Sequence, residues 1–363
     1  MPIRLLHHKI HMPTVTDLLA GDRKLDLHFH YRDMNQVFDF VPRRDNLYNI
    51  PRDEIIELDI SEFLALPRQI RNQLIRRKLM ITSVIDFHRA VIKMDEILGT
   101  QRPNVVYVTS NHSEASQYAQ TFYINPWPLC NSNSSVTARA MVADPEPWLR
   151  KIERGTYSKW CFFPNYKARD HRVVMLAALA DRGHLDHTEW SLGADQQGHH
   201  SHLMRFDLKP SHPRATRFLE QHQTQLPRKL PIPEGSYSDL VYISPEWPGQ
   251  YDHMIAGETD ISNLFLTEKT YRGFQIGATT WVLGHPKSHQ RLKKEGFHVA
   301  EFEPKNLSID QTCDSLIDHM KHYSLTPQQR MENFERMTNR EWLKNQVLDG
   351  YNSAIRKLRT IEI

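Results

Sequence analysis

The stretch Phe265-Leu266-Thr267-Glu268-Lys269-Thr270-Tyr271-Arg272, followed by Ile276-Gly277-Ala278-Thr279-Thr280-Trp281-Val282-Leu283-Gly284, places an apolar approach, a helix start and a buried strand in immediate succession. Thr267 stands where an N-cap is expected, and Glu268 in the first turn suits the positive end of the helix dipole. Lys269 and Arg272 add two cations to the same short helix. A helix N terminus flanked by cations suits a diphosphate, and a carboxylate beside it can accept hydrogen bonds from a ribose. A helix leading straight into an apolar strand is the repeating unit of an α/β fold with a parallel sheet. The plainer alternative is a well-capped surface helix with Lys269 and Arg272 on its solvated face.

Two further segments of the same half point the same way. Lys159-Trp160-Cys161-Phe162-Phe163 reads as a buried strand, and Asn165-Tyr166-Lys167-Ala168-Arg169-Asp170-His171-Arg172 follows it, running into the helix Val173–Leu179, closed by Gly183. In open α/β sheets ligands bind beyond the carboxyl ends of strands. A loop with Lys167, Arg169 and Arg172 there suits phosphate oxygens, and each Arg can hold two of them. A solvated basic turn capped by Asp170 is the alternative. Met254-Ile255-Ala256 then runs into Gly257-Glu258-Thr259-Asp260, which puts a carboxylate at a strand end; a surface acid is the plainer reading. Remaining expectations for this half are strands at Thr280–Leu283 and His298–Glu301 and helices at Glu268–Ile276, Ser288–Glu295 and Cys313–His322. A polar insertion is expected near Gln225–Ser238, and mostly helix from Thr326 to Lys357.

The first half alternates as well. Strands are expected at Leu25–Tyr31, Ile55–Ile60, Ile81–Phe87, Val105–Thr109 and Thr121–Ile124, with helices at Glu62–Arg77, His88–Leu98 and Ser113–Tyr118; Pro67 should break the first helix. A looser region covers Pro126–Ser135. The Pro-rich run Asp144-Pro145-Glu146-Pro147 is the best linker, so domains are expected at 1–147 and 148–363. A chain of 363 residues accommodates two domains, and 39% hydrophobic with 10% aromatic residues excludes a disordered chain. A net charge of +3 neither demands nor excludes a polyanionic partner. The 21 histidines would add positive charge below about pH 6.5. Cys130, Cys161 and Cys313 lack metal-type spacing and suit a reducing compartment. The first residues lack a signal-peptide core, and no stretch approaches transmembrane length. The expectation is a cytoplasmic protein with no integral membrane association.

Val105–Thr109 leads through Ser110 into Asn111-His112-Ser113-Glu114, and Asp86 and His88 close another expected strand. His112, Glu114 and Asp86 are candidates for a general base; capping or surface roles are the alternative. Gly198-His199-His200-Ser201-His202 lacks supporting carboxylate or Cys spacing, and no metal site is expected there. Arg68, Arg71, Arg76, Arg77 and Lys78 form a cationic helical run, read as a solvated face; phosphate-backbone contact or docking on an anionic membrane is the functional alternative.

Phe265-Leu266-Thr267-Glu268-Lys269-Thr270 with Val282-Leu283-Gly284 resembles the donor-site motif of fucosyltransferase-like glycosyltransferases, and is closer still to viral and bacterial glycosyltransferase-like proteins. Asn165, Arg169, His171 and Arg172, the Glu258-Thr259 step and the Leu292–Phe297 stretch fit the same pattern. The resemblance covers Lys159–Val299. Tyr271-Arg272 departs from the more usual Phe-Lys and keeps the charge. The resemblance implies a GT-B architecture, two Rossmann-like domains facing across a cleft, with the donor in the second. It implies that Glu268 holds the ribose, Arg169 and Lys269 the diphosphate, and that Glu258 lies near the sugar or base. Asn165, Lys167, Arg172, Thr267 and Arg272 complete the expected donor site. The sequence lacks any Asp-x-Asp triplet, in keeping with metal-independent hexosyl or pentosyl transfer without a cofactor. The donor would be a UDP- or GDP-sugar. Double-stranded DNA carrying 5-hydroxymethylpyrimidines is one candidate acceptor, which for a phage protein means the bacterial host cytoplasm. A surface glycan is another, and a non-catalytic nucleotide or nucleic-acid binding module is the alternative class.

Overall fold

The computed structural model describes residues 3–6, 44–45, 53–83, 102–110, 120–133, 135–165, 168–192, 212–226, 228, 230, 243–259 and 261–361. By internal contact the chain forms two units, Met1–Asn133 with Glu341–Ile363, and Ser134–Arg340. The division thus falls earlier than Pro147, and the last helix returns to the first unit.

In the first unit β1 (Ile3–Leu6), β2 (Arg44–Asp45), β3 (Ile55–Asp59), β4 (Lys78–Ser83), β5 (Val105–Thr109) and β6 (Thr121–Tyr123) form one sheet in the order β2-β1-β3-β4-β5-β6, every pair parallel. Alternation along the strands decides what each face buries. Ile56, Leu58, Leu79, Ile81, Val105 and Tyr107 pack with Phe63 from the first helical segment, Leu66 just after it and Leu74 from the second. These segments are α1 (Ile60–Ala65) and α2 (Arg68–Leu74), and Pro67 stands between them as its missing N–H requires. The cationic run is therefore not one helix: Arg68 and Arg71 lie on α2, Arg76 and Arg77 in the following turn, and Lys78 opens β4. The region read as loose contains α3 (Trp127–Asn133). Its Pro128 sits in the first turn, where no intrahelical N–H is needed.

The second unit begins with α4 (Val136–Ala143) and α5 (Glu146–Glu153). Pro145 is the N-cap of α5 and Pro147 lies in its first turn, so the Pro-rich run is a helix start. There follow β7 (Lys159–Phe163), α6 (Asp170–Asp181), β8 (Thr188–Trp190), α7 (Pro213–His222), β9 (Tyr251–Gly257), α8 (Glu268–Gln275), β10 (Thr279–Leu283), α9 (Ser288–Lys294), α10 (Ile309–His322) and α11 (Pro327–Thr338). The sheet is parallel throughout, in the order β10-β9-β7-β8. Cys161, Phe163, Ile255, Trp281 and Leu283 face one side and pack on α6, α7 and α10. Phe162 and Met254 face the other and pack with α4, α5 and Phe334 of α11. Helix α8 contacts β9, β10 and α11, which puts it on the face opposite α6. A sheet buried on both faces reads as continuous apolar runs, which is what the sequence shows at β7 and β10.

Chain order and spatial order together define a switch point. From β7 the chain moves outward to β8; from β9, on the other side of β7, it moves outward to β10. The two crossover helices lie on opposite faces, so the carboxyl ends of β7 and β9 open between them.

The strand expected at His298–Glu301 is not formed. Asn333 of α11 donates from Nδ2 to the His298 carbonyl and accepts the His298 N–H at Oδ1, both at 2.8 Å, satisfying this backbone in place of a neighbouring strand. At the amino ends of the strands, buried Arg330 donates to the carbonyls of Leu325, Asp252 and Gly277 and to the Asp252 carboxylate. Helix α12 (Arg340–Arg359) places Tyr351 against the first unit's sheet, where its hydroxyl donates to buried Glu57 at 2.9 Å. Its Gly350 lies on the Tyr123 carbonyl, so close that a Cβ there would be 2.0 Å from the oxygen. The segments expected as Leu25–Tyr31, His88–Leu98 and Ser113–Tyr118 lie outside the described residues.

Candidate functional site

The carboxyl end of β9 is the centre of the site. Glu258 follows the strand directly and is wholly buried. Its amide extends the ladder to the Leu283 carbonyl of β10 at 3.0 Å. Its carboxylate turns to the start of α8. Oε1 accepts from the Thr267 amide at 2.8 Å and the Thr270 hydroxyl at 2.5 Å, and Oε2 accepts from the Thr267 hydroxyl at 2.6 Å. Burial pushes the Glu258 carboxyl up, against the opposing influence of Lys269 and the Thr267 and Thr270 hydrogen bonds. Thr267 occupies the N-cap position in extended backbone, yet its side chain makes no capping bond. Its hydroxyl is diverted to Glu258, which leaves the helix start without the usual side-chain cap.

Helix α8 carries the next layer. Lys269 reaches Glu268 Oε1 at 2.8 Å, Thr267 Oγ1 at 3.0 Å and Thr259 Oγ1 at 3.4 Å. Both members of the Glu268–Lys269 pair are mostly buried, with side chains 12% and 9% exposed. Burial works to raise the Glu268 carboxyl, but Lys269, with Arg272 further along the helix, holds it below the usual carboxylate range. Arg272 is itself wholly buried, and Tyr271 donates to Glu295 at 2.7 Å. Gly273 faces β10 so closely that α8 can lie on the strand only because position 273 has no side chain.

From the other side of the switch point come the residues after β7. Asn165 is buried; its amide donates to Ser191 Oγ at 3.0 Å and its Nδ2 to the Phe163 carbonyl at 3.2 Å. Arg169 donates to the Thr259 carbonyl at 2.7 Å. Arg172 donates to the Glu258 carbonyl at 3.2 Å, and His171 Nε2 lies 2.8 Å from the same oxygen. A carbonyl only accepts, so His171 carries its proton on Nε2. A Cβ at Gly257 would lie 3.0 Å from Arg172 Cγ and 3.1 Å from Asn165 Oδ1, which explains glycine at the end of β9.

Asn165, Arg169, Arg172, Glu258, Thr267, Glu268, Lys269 and Arg272 therefore lie around the carboxyl ends of β7 and β9. Lys167, Asp86, His112 and Glu114 lie outside the described residues, as does Gly198–His202. Among the described residues no group of three or more His, Cys, Asp or Glu side chains could hold a metal, and no helix is long and apolar enough to cross a membrane.

No protein-family model, curated protein or solved structure matches the chain. What the site can do follows from its own chemistry. Among the described residues, the cations Arg169, Arg172, Lys269 and Arg272 stand here with two carboxylates, Glu258 and Glu268. Thr270, Thr259 and His171 complete the arrangement. The first two have no signature beyond following an acid or a cation by one residue, and the bonding partner of each is far off in sequence or on another element.

Proposed function

We propose that the chain is a GT-B glycosyltransferase whose second unit binds a nucleoside-diphosphate sugar at the switch point between β7 and β9. The observation that carries this reading is the mostly buried Glu268–Lys269 pair in the first turn of α8, with Arg169 brought beside it through Thr259. A diphosphate diester carries one negative charge on each phosphorus, which cations at a helix N terminus suit. Lys269 and Arg169 are assigned to the diphosphate and Glu268 to the ribose hydroxyls. Charge develops on the diphosphate as the glycosidic bond breaks, and cations already fixed in a dry site stabilise it without reorganising. The acceptor hydroxyl needs a base, for which His112, Glu114 and Asp86 are the candidates.

A panel of UDP- and GDP-sugars tests the donor assignment by thermal shift and by release of free nucleotide. A matched donor at 100 times its dissociation constant should stabilise the protein by about 2.7 kcal/mol. Glu268→Ala should abolish the shift; an unchanged shift in that variant would refute the assignment. For the acceptor, hydroxymethylated duplex DNA is the proposal, and a gel shift that weakens steeply with salt is expected. Absence of binding at low salt would turn the acceptor toward a glycan.

A further inference from the structure

We propose that Glu258 is the positioning residue of this site: it locks the start of α8 to the end of β9 and so sets where Glu268 and Lys269 stand, without touching the ligand. The proposal rests on the donor-site reading above and differs from the sugar or base contact that the resemblance implies for this residue.

The geometry carries it. All three hydrogen bonds to the carboxylate come from the helix start, from Thr267 N, Thr267 Oγ1 and Thr270 Oγ1. The side chain has no solvent exposure, whereas Glu268 and Lys269 keep a margin of it. The backbone of the same residue is held on both other sides. Its carbonyl faces His171 and Arg172 from α6, and its amide bonds to β10. A Cβ at Gly284 would come within 3.3 Å of Glu258 Cβ, so the end of β10 is shaped around it. One residue thus joins the ends of β9 and β10 to the starts of α6 and α8. Lys269 then bonds to Thr267, whose hydroxyl Glu258 already orients. Removing the carboxylate frees the Thr267 hydroxyl to cap its own helix, and Lys269 loses a fixed neighbour.

The test compares Glu258→Ala and Glu258→Gln with the unaltered protein, using calorimetric titration of UDP, GDP and their hexose conjugates. Glutamine keeps the shape and still accepts from Thr267 N and Thr270, while the Thr267 hydroxyl can turn to accept from its amide. Alanine should weaken nucleoside diphosphate and sugar conjugate by the same factor, about tenfold, and glutamine should recover most of that loss. A variant that binds free nucleoside diphosphate normally but loses the extra affinity given by the sugar would overturn the proposal, since that is the mark of contact with the sugar, and so would a loss that differs between UDP and GDP, the mark of contact with the base. Should Glu258→Ala not fold, Thr270→Val removes one donor and should give a smaller loss, again equal for both probes. A urea double-mutant cycle between Glu258→Ala and Thr270→Val needs no ligand. Coupling of at least about threefold in the unfolding constant is expected, and additivity would overturn the clamp. If the unaltered protein binds no probe, the donor reading fails, and the cycle still decides whether the clamp exists.

Discussion

Gly273→Ala is the sharpest test of how α8 is seated. Glycine inside a helix costs about 0.5–1 kcal/mol relative to alanine, so by propensity alone the change should stabilise. The packing predicts the reverse. A Cβ at 273 would stand 2.1 Å from Thr280 Oγ1, 3.1 Å from its Cβ and 3.2 Å from its Cγ2, with Thr280 wholly buried on β10. Restoring an ordinary contact of about 3.4 Å requires the two elements to part by about 1.3 Å or Thr280 to leave its rotamer. Overpacking of this kind costs about 1–3 kcal/mol, which leaves a net loss of up to about 2.5 kcal/mol after the propensity gain. Urea unfolding measures it. Thr280→Ala in the same chain removes the colliding oxygen and should recover at least half the loss, a favourable coupling between the two changes. On the proposed donor reading, nucleotide affinity should fall in the single variant and return in the double, because α8 carries Glu268 and Lys269. A Gly273→Ala protein as stable as the unaltered one, with no coupling to position 280, would refute this account of the helix–strand contact.

Other perturbations test the frame. Arg330→Met takes the donor from three carbonyls at the amino ends of β9 and β10 and leaves the Asp252 carboxylate with the Ser324 hydroxyl but without its cation; the expected loss is about 3–5 kcal/mol by urea unfolding, and a loss below about 1 kcal/mol would contradict a buried role. Acidification should destabilise the second unit through His253 and His289. Burial lowers His253 to about 4, with Asp252 opposing and Arg330 assisting, and burial with His319 and Lys293 lowers His289 to about 3. Because the folded values lie below the unfolded ones, the unfolded chain takes up protons first. Stability is therefore full above about pH 6.5 and is lost as pH falls toward the folded values, by up to about 1.4 kcal/mol per unit for each histidine. His289→Gln should flatten part of that slope between pH 6.5 and 5; an unchanged slope would remove His289 from the explanation.

Much of the second unit was legible because its signals are local. Strands β7 and β10 are short apolar runs, α8 has an acid in its first turn, and Gly183, at φ 71°, closes the helix that precedes it. Elements built from ordinary residues against distant partners were not legible. Strand β8 is only Thr188–Trp190, and its pairing with β7 defines it. Prolines misled twice, at α3 and α5, because Pro in a first turn and Pro in a linker look alike until the rest of the helix is seen. The expected strand His298–Glu301 had the apolar pattern without a neighbouring strand, and Asn333, thirty-five residues away, satisfies its backbone instead. At the site, the charges were legible as types and their roles were not. Glu258 reads as a strand-end acid; that it faces inward to the α8 threonines follows only from the β9–β10 register and the approach of α8.

The donor claim turns on whether the first turn of α8 recognises a diphosphate. Calorimetric titration of UDP and GDP against UMP and GMP, in the unaltered protein and in Lys269→Met, measures this directly. The diphosphates should bind at least about tenfold more tightly than the monophosphates, and the difference should collapse when Lys269 is replaced. Equal affinity for mono- and diphosphates, or a preference that survives Lys269→Met, would contradict it.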